Sequence, residues 1–134
     1  MGRKALAIAG LVLALAAGTW PQQRLQVAIT SPADGGRVDT QTTVTGTVSD
    51  TNAVVWVIVH PRGNPRFWVQ PEASLHAHGR WDCEAYFGEP GAQRGLRFDI
   101  MAVANPVRQL EVEMQLQSWP QAAARSRVVT VTKR

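Results

Sequence analysis

A chain of 134 residues has room for one ordinary domain, and 45% apolar against 18% charged residues is the balance of a globular fold with a real core. The formal charge of +4 falls by two once Arg3 and Lys4, both in the N-terminal segment, are set aside. The other arginines stand singly along the chain, so the clustered basic footprint of a nucleic-acid binder is missing and no nucleic-acid partner is expected.

Arg3 and Lys4 precede a charge-free run, Ala5 to Ala17, rich in Leu and Ala. A spanning helix needs roughly 17 to 25 apolar residues; the apolar core of a signal peptide needs only about 7 to 15. Ala14-Leu15-Ala16 and Ala16-Ala17-Gly18 both offer the small-x-small pattern of a cleavage site, and no Cys follows the run to direct lipoprotein processing. Residues 1–20 therefore read as a signal peptide or, uncleaved, as a membrane anchor with Trp20 at the interface. Residues 21–24 read as a linker and 25–134 as the domain. In either case the domain is expected outside the cytoplasm: in the periplasm, at the cell surface, secreted, or held at the inner membrane by its N terminus. The single cysteine, Cys83, cannot make an intradomain disulfide, so packing must hold the fold.

In the domain, Leu25, Val27 and Ile29 alternate with polar residues, the period of a half-buried strand, before Ser31-Pro32-Ala33-Asp34-Gly35-Gly36 turns the chain. Thr42 to Ser49 is a run of β-branched residues, with Gly46 on its apolar face, where a missing side chain admits a bulky neighbour. Ala53 to His60 is apolar on both faces. This predicts a central strand, either covered on each side or carrying an exposed apolar stripe. Pro61 and Gly63 end it, and Arg66 to Gln70 returns as a shorter strand.

Trp81, Cys83, Ala85 and Phe87 share one face of the next strand. Leu96, Phe98, Ile100, Ala102 and Ala104 point inward from the one after, with Arg97, Asp99 and Met101 outward. From Val107 to Gln117 the signals conflict: the alternation of Leu110, Val112, Met114 and Leu116 predicts a strand, while helix propensity predicts a helix. Gln121 to Arg125 reads as a linker, and Ser126 to Thr132 as a final strand burying Val129 and Val131. Seven or eight short strands with turn signals between them predict an all-β, two-sheet sandwich.

The opening Ile29-Thr30-Ser31-Pro32-Ala33-Asp34-Gly35-Gly36, with Thr43-Val44-Thr45-Gly46-Thr47-Val48 after it, resembles the start of bacterial immunoglobulin-like domains. Gly79-Arg80-Trp81 and Val128-Val129-Thr130-Val131-Thr132 resemble later pieces of such modules, and the likeness spans residues 25–134. It implies an immunoglobulin-like sandwich of about seven strands and supplies no catalytic residues; the paired cysteines of antibody-type domains are absent. Val57-Ile58-Val59-His60-Pro61 and Trp68-Val69-Gln70-Pro71 are similar to a subgroup of exported immunoglobulin-like proteins, which implies a short helix near residues 107–117.

His76-Ala77-His78 could join His60, Asp82 or Glu84 around a metal, but no fixed spacing brings His60 to the pair, and solvated histidines beside a turn are the expected reading. Neither metal nor cofactor is expected. The pairs Asp82/Glu84 and Glu111/Glu113 read as solvent-facing charges, and Cys83 as a buried, inert thiol. These readings leave no catalytic residue, so a non-enzymatic module is expected that contacts a protein or another cell-envelope component through Trp56, Trp68, Trp119 and His60. The alternative is a carbohydrate-binding module in which exposed indoles stack on pyranose rings, Trp68 first and Trp56 next; the competing fate of any tryptophan here is burial in a sheet interface.

Overall fold

The computed structural model of the protein describes residues 24–134; the expected targeting segment at 1–20, and linker residues 21–23, lie outside the described residues. The described chain forms β1 (Val27–Ser31), β2 (Arg37–Val38), β3 (Gln41–Val48), β4 (Val55–Pro61), β5 (Phe67–Val69), β6 (Ser74–Leu75), β7 (Arg80–Tyr86), β8 (Arg97–Pro106), β9 (Gln115–Leu116), β10 (Ala122–Arg125) and β11 (Val129–Lys133), with one 3-10 turn at Ala77–Gly79.

Two sheets result. The first runs β1-β3-β7-β6 and the second β2-β11-β8-β4-β5-β9, with β10 also paired to β8. With β1, β3, β4, β6, β7, β8 and the β10–β11 pair lettered A to G, the sheets read A-B-E-D and C-F-G, the strand order of an immunoglobulin-like sandwich, and β5 with β9 and β2 extend the second sheet at either side.

Period-two burial builds the space between the sheets. Val55, Val57 and Val59 of β4 and Phe98, Ile100, Ala102 and Ala104 of β8 meet Val44 of β3 and Trp81, Cys83 and Ala85 of β7. Phe87 and Phe98 pack edge to face at 5.4 Å. In the β3–β7 register Gly46 lies opposite Trp81, and a Cβ at Gly46 would collide with both the Trp81 ring and the Ala28 carbonyl. The glycine is what lets this indole lie flat against the sheet, its Nε1–H donating to Thr47 O at 3.0 Å.

Leaving the first sheet after β1, the chain passes Pro32, which has no N–H to donate, and joins the second as β2, parallel to β11 with Arg37 opposite Thr132. Gly35 and Gly36 secure the crossing, Gly35 N–H donating to Thr130 O and Thr132 N–H to Gly36 O.

Two expectations are corrected. Residues 121–125, read as a linker, contain β10, which lies antiparallel on β8 with Ala124 opposite Ala104. Alanines carry little β-propensity, and pairing with β8 decides the conformation. The seventh lettered strand is thus split in two around Ser126, whose Oγ accepts the Ala102 N–H at 2.9 Å and donates to Arg127 O at 2.8 Å.

The segment 107–121 is not a helix, and its only strand is β9. It is a strap across the outer face of the second sheet, where Leu110 and Leu116 are buried with Ile58, Val69, Met101 and Val103, and Met114, Trp119, Trp56 and Phe67 pack around them. Met101, expected to point to solvent, does face outward but is only 7% exposed beneath the strap. The reason is energetic: each such side chain fully buried is worth roughly 1.5 to 3 kcal/mol, and a helix would not match the paired edge of β5. β9 instead adds to that edge, Phe67 opposite Leu116, with Val69 N–H donating to Met114 O and Glu113 N–H to Val69 O. The central strand β4 is therefore covered on both faces.

Candidate binding surfaces

The four residues singled out from sequence do not form one surface. His60 stacks on Phe67 with ring centroids 3.8 Å apart and planes 6° from parallel, and Trp119 stands edge-on to Phe67 at 4.8 Å and to His60 at 6.0 Å. His60 Nδ1 lies 3.0 Å from Arg66 O; a carbonyl only accepts, so Nδ1 carries the proton. This is a packed, half-buried corner under the strap. Trp56 lies on the same outer face at the opposite end of β4, four residues and roughly 13 Å away. Trp68 sits beside Val59 on the opposite face of β5, half-buried.

The remaining polar constellations are also separated. His76 Nε2 is 2.6 Å from Asp82 Oδ2, while Glu84 accepts from Thr43 and Gln41 and His60 belongs to the other sheet. No group of three or more His, Cys, Asp or Glu among the described residues could hold a metal. Cys83 is 3% exposed, its Sγ donating to Pro71 O at 3.2 Å. Burial, followed by the charges of Glu84 and Asp82, pushes the thiol up to about 12, which suppresses the reactive thiolate.

Two concavities stand out among the described residues. The larger, about 800 Å³, lies where β1 faces β10 and the start of β11; Leu25 to Ile29 form one wall and Ala124, Arg125, Arg127, Val128 and Val129 the other. Among the described residues β1 pairs only with β3, and β10 only with β8, so each wall is a free sheet edge of the described chain. β2 covers the edge of β11 only from Thr132 onward, opposite its first residue, Arg37. Arg125 and Arg127 are exposed, whereas the one carboxylate of the groove, Asp34, accepts the Thr130 N–H at 2.8 Å.

The smaller, a cleft of about 430 Å³, has Trp56 in it, with Val54, Pro106 and Leu110 beside the ring and Glu72, Asn105, Arg108 and Gln109 at the rim. Gln70 N–H donates to Val57 O and Ala73 N–H to Val55 O, which runs the 70–73 segment along β4 and brings Glu72 next to Trp56. Asn105, in the left-handed region at φ 52, donates its N–H to Val54 O at 2.8 Å and accepts the Val54 N–H on Oδ1 at 2.9 Å.

Of the cleft's lining residues only Trp56 is a candidate visible in the sequence, because Glu72, Arg108 and Gln109 sit in loops with no periodicity. The groove is not visible there either, because residues 121–125 read as a linker. No protein-family model matches the chain, and no curated protein matches it.

Proposed function

We propose that the protein is an exported, non-enzymatic interaction module that captures an extended segment of a partner protein in the groove between β1 and β10. The observation that carries this reading is the pair of free sheet edges facing each other across one groove. Unpaired strand edges are a liability that folds usually cover or charge, and here they flank apolar side chains. Strand addition uses such an edge: backbone hydrogen bonds supply affinity, and alternate side chains of the guest supply specificity. Leu25, Ile29, Ala124 and Val128 favour apolar residues at one parity of the guest. Arg125 and Arg127, with Asp34 already engaged, favour acidic residues at the other.

The test is a synthetic ten-residue peptide of alternating Val and Glu added to the full chain, with amide exchange read by NMR. New protection at the amides of β1 and β10 is the expected result. A Val and Lys peptide that protects them equally, or no protection at either strand, would remove the reading. The His60, Phe67 and Trp119 corner plays no part in it, because those rings satisfy one another under the strap.

A further inference from the structure

We propose that the cleft around Trp56 is a binding site for an uncharged pyranose ring, separate from the groove. This inference rests on the cleft alone, and the groove reading and this one stand or fall independently.

A pyranose offers two kinds of surface: an apolar C–H face and a perimeter of hydroxyls, each of which both donates and accepts. The cleft is built as the complement. The Trp56 indole supplies a flat apolar face, with Val54, which is 40% exposed, and Pro106 beside it. Around it stand a carboxylate that only accepts (Glu72), a guanidinium that only donates (Arg108) and a carboxamide that does both (Gln109). Glu72 and Arg108 form no ion pair among the described residues, so both are available to a ligand. Trp81 Nε1 has its partner in Thr47 O; Trp56 Nε1 has none among the described residues, which leaves one more donor at the edge of the ring.

Charge selects among sugars. One acid and one base at the rim balance, so neither a uronate nor an aminosugar cation is favoured over a neutral ring. Preorganisation comes from the two-way bond between Val54 and Asn105. It fixes the wall in place, and asparagine tolerates the left-handed backbone needed there better than most residues. Asn105 Oδ1 is consumed by that bond, so its amide group is a further donor into the rim. The volume falls within the range of small-ligand pockets, and the open form of the cleft lets a longer glycan run past it.

The other tryptophans lack this arrangement. Trp119 is edge-on to its aromatic neighbours, and neither it nor Trp68 lines the groove or the cleft.

The full chain, 15N-labelled at tryptophan, is titrated with the methyl pyranosides of glucose, galactose and mannose, with an N-acetylglucosamine oligomer, and with glucuronate. A saturable shift of the Trp56 indole N–H, with the Trp68, Trp81 and Trp119 signals unmoved, is expected for at least one neutral sugar. Arg108→Ala and Glu72→Gln change exposed side chains and leave the fold intact; each should weaken binding at least about tenfold, the low end for a hydrogen bond to a charged group. Trp56→Ala should abolish it, and Trp56→Phe, which keeps an aromatic ring under the strap, should retain part of it. No Trp56 shift with any neutral sugar, equal shifts at Trp56, Trp68, Trp81 and Trp119, tighter binding of glucuronate, or undiminished binding by both rim variants would each overturn the proposal.

Discussion

Gly46→Ala tests the packing on which both candidate surfaces are mounted. The position is in mid-strand on β3, so an alanine gains roughly 0.5 to 1 kcal/mol from the reduced freedom of the unfolded chain. Against that, its methyl meets the Ala28 carbonyl and the ring of Trp81. Neither yields easily: Ala28 is in register with Thr47 in the β1–β3 pair, and Trp81 is 1% exposed with its N–H engaged. Overpacking of this kind costs about 1 to 3 kcal/mol, and two rigid obstacles put it at the upper end, leaving a net loss of about 2 kcal/mol. For a domain of this size that is a fall of roughly 8 °C in Tm. Urea unfolding followed by tryptophan fluorescence measures it, and the same substitution in a Trp81→Phe background should cost less, because one of the two obstacles has gone. A loss below about 0.5 kcal/mol, or an equal loss in both backgrounds, would refute the account of Gly46.

Cys83 should resist a thiol reagent in the native protein and react stoichiometrically in urea; rapid native labelling would contradict its burial. Its folded value lies above the unfolded one, so the stability it contributes is complete below about 9 and is lost as pH rises towards about 12. The loss is on the order of a few kcal/mol, and it should show as an alkaline decline in Tm that is steeper than in Cys83→Ala. Leu116→Ala should cost roughly 2 kcal/mol, the low end for a buried leucine because β9 is an edge. It should also speed hydrogen exchange at the Val69 amide, which is bonded to the strap through Met114 O; unchanged exchange there would mean the strap is held by something else. Arg125→Glu with Arg127→Glu should leave the unfolding free energy within about 0.5 kcal/mol of the parent's and reverse the preference between acidic and basic strand peptides, read by their relative affinities.

The inner layer was legible because both of its faces follow a single rule. Val44, Trp81, Cys83, Ala85, Phe98, Ile100, Val129 and Val131 all fall on the parity that sequence alternation assigns to the core, and Gly46 appeared in sequence as the gap a bulky group would fill. The outer layer was not legible, because the same alternation has two solutions. Ile58 and Met101 face away from the core, and sequence could not say whether solvent or another segment would meet them. Leu110, Met114 and Leu116 carry the answer in a stretch where strand period and helix propensity disagree, and it is settled only by contact with β5, some fifty residues earlier in the chain. The Trp56 cleft was half legible for the same reason: an indole on an apolar strand is visible, whereas Glu72 and Arg108 reach it from loops whose course depends on the backbone bonds of Gln70, Ala73 and Asn105.

The groove follows from how the sheet change of the first strand divides its pairing between the two sheets. β8 is ten residues long and needs a partner along its whole length, which it finds only by drawing on both β10 and β11. β2 can protect the far edge of that split strand only after the chain has left β1 and the first sheet, and the departure is fixed at Pro32, where the ladder loses a donor. Two residues of β2 then suffice for the end of β11, and nothing in the described chain remains to pair with β10. Moving the crossing a few residues earlier would lengthen β2 and close the edge of β10, but it would strip β1 from β3 and expose Gly46 and Trp81. The bare edge is thus the cost of keeping the inner core sealed, and it lies beside two exposed cations, Arg125 and Arg127.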